Sequence, residues 1–552
     1  MSDFSGAKGA FRLMADGRLV FQADLGGRQI NDLYVVDLTK GAQPENLTAT
    51  DDVNETYPLP SSDGFQLAYA ARQANRSSDN IMLRDLRTGD IRQLTDEQQT
   101  GLQWLPAAFS RDGEVLIVNR YDFSFAFGEV FAVEAATGRM TQLTPTGRYG
   151  HGSDISGDGR YVALAVETEG GVRQAAILDR NTGEQRLLDP GAWEQRTIAF
   201  SPDGKSLLYV TNLDGQEVVS LYDVASDAHR RLPLPEGVNS QAGYISTSPS
   251  FSPDGRYVLF PHSSGSTPQD YWTFDLTTGL AARMTRLNNL EAQTLPRTSI
   301  VHYPSADGTL ISAVLWTPYN LERDGRAPAV IISHGGPTGQ QMDSFERLAA
   351  ALASRGYMVL SPNFRGSTGY GQAFTKANYL DLGGGDLEDV VAGVAFLKQT
   401  GYVDPRKVGI AGGSYGGYMT LIALAKKPEV FAAGVDMFGI VNWRTMWERG
   451  APQNRRYQEG LVGIPDDHPE VYDSASPLTR LDQVRAPLLV LHGENDPLVP
   501  AHESRQVVDF LEARGRVVEA HFYEGEGHGF AQPANQIDSL QRTIAWFEAH
   551  LK

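Results

Sequence analysis

Three side chains in the second half of this 552-residue sequence have the types and order that acyl transfer requires. Ser414 lies in Gly412-Gly413-Ser414-Tyr415-Gly416, a G-x-S-x-G pentapeptide between the apolar run "KVGIA" and the helix-like run "YMTLIALA". A strand before and a helix after form the context of a nucleophile elbow, where a strained turn holds the hydroxyl at the start of the helix. The close neighbours must be glycine so that strand and helix can pass each other. A serine hydroxyl is a weak nucleophile. It needs a base to take its proton and an acid to orient that base. Downstream, "LLVLHGENDPLVP" ends an apolar strand at Asp496, and "AHFYEGEGHGF" ends another at His528. The order Ser, Asp, His is the one this strand–turn–helix setting uses.

Competing residues stand close by. Glu494 is the alternative to Asp496 as orienting acid, and Glu526 reads as a loop acid beside His528. His492 precedes the Asp loop and reads as structural. His521, within a strand, and His550, at the C-terminus, read as structural or solvated. An oxyanion hole needs two preorganised donors. The Tyr415 amide, next after the serine, is one. "VIISHGGPTG" offers the other in the Gly336 amide, the alternative being a plain Gly-Gly-Pro turn.

The elements that position these residues follow from periodicity. From about residue 298 onward, apolar strands ("APAVIISHG", "YMVLSPN", "KVGIAGG", "FAAGVDMFG", "APLLVLHG", "VVEAHFYEG") alternate with amphipathic helices. That pattern predicts an α/β domain over residues 298–552 with a doubly wound, mostly parallel sheet, and together with the elbow around Ser414 it resembles the α/β-hydrolase fold. Sites in such sheets form at the carboxyl ends of strands, where Ser414, Asp496 and His528 all fall.

The first half repeats instead. "MADGRLVF", "SSDGFQLAY", "SRDGEVLIV", "SGDGRYVAL", "SPDGKSLLY" and "SPDGRYVLF" recur about every 45–50 residues, the length of a propeller blade. Each is followed by a second turn motif such as "DLTKG", "DLRTG" or "DLTTG". Asp-Gly supplies the positive φ a tight hairpin needs. Six such units predict an all-β propeller of about six blades over residues 1–285, with a connector at 286–297. The units resemble the Asp-Gly propeller repeats of the TolB type.

Composition narrows the function classes. Net charge is −19, with 41% apolar and 21% charged residues. The acidic balance disfavours nucleic acid and anionic membrane as partners. There are no cysteines, which excludes disulfides, thiol nucleophiles and cysteine-based metal sites. No dinucleotide fingerprint or His-rich spacing is present, so neither a metal nor an organic cofactor is expected. No apolar run of membrane-spanning length and no leader-like start is found, and a cytoplasmic protein is the expectation. Self-association is left open.

Taken together, "HGGP" (334–337), "NFRGSTGYG" (363–371), "GGSYGG" (412–417), "END" (494–496) and "GEGHGF" (525–530), behind a propeller, resemble the prolyl oligopeptidase family of serine peptidases over essentially the whole chain. The mix is most similar to the acylaminoacyl-peptidase and dipeptidyl-peptidase branches. The resemblance implies hydrolysis of short peptides or acylated amino acids by a Ser-Asp-His triad through an acyl-enzyme. Two departures stand out. His334 occupies the place of the oxyanion tyrosine of prolyl oligopeptidases. Leu498, beside Val499, occupies the place where the family often carries an Arg or Asn that grips a substrate carbonyl. The paired glutamates of dipeptidyl peptidases are not identifiable.

By the same analogy "MFGIVNWRTMWERG" helps form the specificity pocket. Trp443 and Trp447 line an apolar subsite or pack in the core. Arg444, Arg449, Arg455 and Arg456 grip a carboxylate or carbonyl, or form a solvated basic loop. Leu498 and Val499 complete the substrate-binding set. The alternative activity is a carboxylesterase or small-amide hydrolase on the same triad. A third reading is a binding protein with an inactive hydrolase domain, against which the intact triad argues.

Overall fold

The computed structural model describes residues 8–24, 30–39, 41–73, 76–122, 127–240, 248–288, 290, 295–450 and 452–552. Parts of the expected connector, residues 289 and 291–294, and the first seven residues lie outside this set. Among the described residues, six four-stranded antiparallel sheets follow one another at 8–46, 53–93, 102–142, 150–187, 195–231 and 250–283. They form the six blades of a β-propeller.

The repeated Asp-Gly turn shows why the units are alike. In blades 2 to 6 the Asp carboxylate accepts from a serine hydroxyl two residues earlier: Ser61 to Asp63, Ser110 to Asp112 and Ser156 to Asp158 at 2.6 Å, Ser201 to Asp203 at 2.7 Å, and Ser252 to Asp254 at 2.5 Å. The same carboxylate oxygen accepts an amide two residues on, as from Phe65 and Lys205 at 3.0 and 3.1 Å. The first blade has Met14 in place of the serine; the Arg18 amide still donates to Asp16 Oδ1 at 3.0 Å, and Arg18 Nε donates to Oδ2 at 2.8 Å. Between turns, alternate residues face alternate neighbours. Ile117 of blade 3 thus packs with Val162 and Leu164 of blade 4, and Leu208 of blade 5 with Val258 and Phe260 of blade 6.

The second domain is one eight-stranded sheet. Its strands are β1 (Arg297–Pro304), β2 (Leu310–Thr317), β3 (Ala327–Ser333), β4 (Met358–Pro362), β5 (Val403–Gly413), β6 (Ala433–Met437), β7 (Leu488–Gly493) and β8 (Val518–Tyr523). Their order is β1-β2-β4-β3-β5-β6-β7-β8. The β1–β2 and β2–β4 pairs are antiparallel and the rest parallel. Consecutive residues feed two cores. Ile331 and Leu360 pack under helices Gly385–Gln399 and Tyr415–Lys426, whereas Val330 and Val359 pack under helices Arg347–Ala353 and Pro533–Leu551. This two-sided burial is why the inner strands read as apolar throughout, whereas the edge strands β1 and β8 are largely exposed or half-buried.

The propeller sits over the carboxyl edge of this sheet. The blade 5 hairpin contributes Asn212 Nδ2 to Gln340 Oε1 at 2.6 Å, Asp214 to the Tyr370 hydroxyl at 3.0 Å and Gln216 to Asp343 at 2.9 Å. The Gly171 carbonyl of blade 4 accepts from the Gln372 amide, and the Gly265 amide of blade 6 donates to Asp343. Across the gap, Arg456 meets Asp122 of blade 3 at 3.2 Å. No helix among the described residues is long and apolar enough to cross a membrane.

Candidate active site

Ser414 follows β5 directly and precedes helix Tyr415–Lys426, with φ 59° and ψ −119°. A non-glycine residue held there is strained. Backbone bonds hold it: Ser414 N–H donates to the Met437 carbonyl at 3.0 Å, and Tyr418 N–H to the Ser414 carbonyl at 2.9 Å. The flanking glycines answer a packing demand. A Cβ on Gly416 would lie 2.0 Å from the Ser333 carbonyl oxygen, because the helix start crosses the end of β3 at close range. Ser333 is paired in register with Gly412, which brings the 334–337 loop beside the serine.

Asp496 and His528 leave the ends of β7 and β8 and meet. His528 Nδ1 lies 2.7 Å from Asp496 Oδ2. The Asp496 Oδ1 accepts the Leu498 and Val499 amides at 2.8 and 2.9 Å. A second, fully buried histidine shares the acid: His492 Nε2 is 3.5 Å from Asp496 Oδ2 and 2.9 Å from the Val499 carbonyl, with Nδ1 at 2.7 Å from Ser504 Oγ. Burial pushes the Asp496 carboxyl up, but the bonds from His492 and His528, the His528 charge and the Val499 amide outweigh it and hold it at about 2. The acid is therefore ionised at neutral pH.

Glu494 points elsewhere, bonded to Arg505 at 3.0 Å. Glu526 is buried and accepts the Ala531 and Gln532 amides and Asn535 Nδ2, so it shapes the loop that carries His528. Ser414 Oγ makes no hydrogen bond among the described residues, to His528 or to any other group. A serine–histidine contact of this kind is often long before substrate tightens it.

Phe438, which sequence reasoning passed over, packs against Gly413 and His528. A Cβ on Gly413 would lie 2.8 Å from its ring, and the ring centroids of Phe438 and His528 are 4.9 Å apart. An aromatic residue after a strand has no motif, so only the fold exposes this role.

The Tyr415 and Gly336 amides are among several near the serine, with those of Gly335, Gly416 and Gly417, that have no intramolecular acceptor among the described residues. The Tyr415 side chain is locked. Its hydroxyl donates to Asp386, Asn378 Nδ2 lies 3.3 Å from the same oxygen, and all three residues are fully buried. Burial raises the Asp386 carboxyl to about 6 against these bonds.

The expected specificity residues separate. Trp443 is 2% exposed and packs against Tyr418, ring centroids 5.5 Å apart, inside the hydrolase core. Arg444 is bound to Asp473 at 3.3 Å and to the Pro469 carbonyl. Trp447 is half-buried, with the Arg455 guanidinium 5.8 Å from its ring. Leu498 is half-buried and Val499 buried, both in the Asp496 turn. Glu503, missed in the sequence, is fully buried and accepts the Val441 and Asn442 amides and the Thr445 hydroxyl. It ties the segment carrying Trp443 to the helix that carries Ser504.

Behind the serine lies a carboxyl without a counterion. Asp436 is fully buried. Its Oδ1 accepts the Gly439 amide at 2.9 Å and its Oδ2 has no partner, and burial raises it to about 7. A raised carboxyl binds its proton more tightly in the folded state. Its stabilising effect is therefore present at low pH and lost as pH rises from the ordinary carboxylate value through 7. Asp436→Asn keeps the Oδ1 acceptor and removes the charge. The variant should lose less stability than the parent between about pH 5 and pH 8, by the order of 1–2 kcal/mol. Thermal melts across that range check it. Parallel curves for both proteins would contradict it.

A doubly wound sheet with a strained elbow serine, an Asp–His pair at neighbouring strand ends and a propeller over the carboxyl edge defines a serine hydrolase of the propeller-capped α/β class. Residues 343–552, within the hydrolase domain, match the prolyl oligopeptidase family, peptidase S9. It is 28% identical over 518 residues to dipeptidyl aminopeptidase BIII of Pseudoxanthomonas mexicana, covering 82% of this chain and 73% of that protein. It is 29% identical over 262 residues to the acylamino-acid-releasing enzyme of Mus musculus, covering 46% of this chain and 35% of that protein. A Mycobacterium tuberculosis puromycin-hydrolyzing peptidase has the same fold, with TM-score 0.82 at 22% identity over 98% of this chain and 92% of the other.

Proposed function

We propose that the chain hydrolyses short peptides or acylated amino acids through an acyl-enzyme on Ser414. The observation that carries this reading is the 2.7 Å bond from His528 Nδ1–H to the ionised Asp496, set at neighbouring strand ends from a strained serine. The bond fixes the tautomer in which Nε2 carries the lone pair. Ser414 Oγ attacks the scissile carbonyl carbon while His528 Nε2 takes its proton. The tetrahedral oxyanion is received by the Gly336 and Tyr415 amides. The proton then passes to the leaving nitrogen as the C–N bond breaks. Water, activated by the same imidazole, releases the acid and restores the serine.

The propeller over the carboxyl edge favours short substrates over folded proteins. Kinship to enzymes named for dipeptidyl and acylamino-acid release supports the same substrate size.

Leu498 favours a second reading. An apolar side chain in the Asp496 turn supplies no grip on a peptide carbonyl, which suits an ester or a small amide. A panel of blocked, free-amino and acylated peptide anilides against nitrophenyl esters tests both. Cleavage of anilides with free or acylated termini is expected. Turnover of esters with every anilide untouched would replace the peptidase reading by the esterase one.

A further inference from the structure

Four arginines lie between β6 and Tyr457, and the structure accounts for three of them. Arg444 is paired with Asp473, Arg456 is paired with Asp122 of blade 3, and Arg449 is exposed to solvent at the end of its helix. Arg455 is different. It is half-buried, it makes no ion pair and no hydrogen bond among the described residues, and its Nε is shut off from solvent without a partner. Its guanidinium lies 5.8 Å from the centre of the Trp447 ring. An indole face attracts a cation but leaves the in-plane N–H donors of the fork open.

This arrangement carries two costs. An enclosed donor left unbonded loses its hydration without return. Arg455 also stands in the first turn of helix Arg455–Val462, which holds no acid, so its charge works against the helix dipole. One anionic oxygen pair on the guanidinium answers both. A carboxylate suits it best, because two parallel N–H···O bonds match the planar fork.

The sheet order places Arg455 at the reaction centre. Trp447 belongs to the segment that follows β6. Two residues past Arg455, the Tyr457 hydroxyl meets the Thr338 hydroxyl, in the loop after β3, at 3.0 Å. β5, which leads into Ser414, lies between β3 and β6 in the sheet. The chain from Trp447 to Tyr457 therefore crosses over the strand that carries the nucleophile. Arg456, the next residue, reaches blade 3, so the helix start lies in the gap beneath the propeller, where substrate must sit.

We propose that Arg455, backed by the Trp447 indole, is a specificity-determining residue that receives a carboxylate of the substrate. Short peptides with an acidic side chain or a free carboxyl terminus beside the scissile bond are then preferred. The inference rests on the reading of the chain as a Ser414 hydrolase of short peptides, and adds the charge of the substrate to it.

The test uses the full chain and pairs of substrates matched except in charge. Peptide anilides with Glu or Gln before the anilide, acetylated and free-amino, vary the acyl side. Peptides with a free or amidated carboxyl terminus one residue past the scissile bond vary the leaving side. Nitrophenyl glutarate against its methyl ester repeats the comparison on esters. In the parent protein kcat/KM should favour the charged member by about 10–100-fold in one of these sets, the size of a charge-assisted pair of bonds. The set that shows it tells side chain from terminus. Arg455→Gln should bring that ratio close to unity, chiefly through KM. Arg455→Lys, which keeps stem and charge but not the fork, should give an intermediate ratio, and it serves if the glutamine variant does not fold. A merely structural arginine would slow both members of a pair alike, and an unchanged ratio in a folded variant overturns the inference. So does a parent protein that treats charged and neutral members equally in every set. Esters cleaved with every peptide refused would remove the peptidase reading, while the ester pair still judges the arginine. A parent protein that cleaves neither class removes the hydrolase reading itself.

Discussion

Ser414→Ala should lower turnover by about 10⁴–10⁶-fold while leaving the thermal melt within a degree or two of the parent. The loss is large because no neighbouring group replaces the nucleophile, and the Asp–His pair has nothing to deprotonate but water. The fold should survive because the hydroxyl makes no hydrogen bond among the described residues and the residue is half-exposed. The bonds that hold the turn belong to the backbone, from Ser414 N–H to Met437 and from Tyr418 N–H to Ser414. Alanine bears the positive φ at about the cost serine does. Initial rates on a cleaved anilide, covalent labelling by a fluorophosphonate and a melt decide it together. Retained turnover in a folded variant would refute the assignment, and lost labelling with lost turnover would support it.

Asp496→Asn should cost about 10⁴-fold in kcat with KM nearly unchanged. The Leu498 and Val499 amides both demand an acceptor, so the asparagine oxygen should stay on them, where Oδ1 now sits. The amide nitrogen then faces His528 Nδ1 and donates to it. The imidazole is driven to the tautomer with hydrogen on Nε2, and the base is gone although the geometry is kept. Glu494→Gln is the control: that carboxylate is committed to Arg505 and the variant should keep its rate. A large loss from Glu494→Gln with none from Asp496→Asn would exchange the two roles. Asp496, held at about 2, should stay charged throughout the working range, so its own titration should leave no mark on the rate profile there.

Legibility in the sequence followed how local each signal was. The elbow is a pentapeptide whose glycines answer contacts within the next strand and helix, so Ser414 could be read from its own neighbours. The blades declared themselves because one turn, with Ser and Asp two apart, was written repeatedly. Asp496 and His528 were legible as residues just past apolar strands. Trp443 and Arg444 were readable as types but not as places. Whether an indole faces substrate or Tyr418 depends on how helix Trp443–Arg449 lies on the sheet, which its spacing does not encode.

The amino-acid order alone pointed to the sheet class and the blade repeat, and it offered Ser414, Asp496 and His528, in that order, as the candidate triad. Each follows from periodicity or turn chemistry within a few residues. The tertiary structure alone decided that Glu494 turns to Arg505 while Asp496 meets His528, that the Phe438 ring packs on His528 and against Gly413, and that Glu503 ties residues 441–445 to helix His502–Glu512. It also turned His334 back onto its own loop. These are contacts between segments distant in sequence. Their partners are chosen by packing, and packing leaves no periodic trace in a single chain.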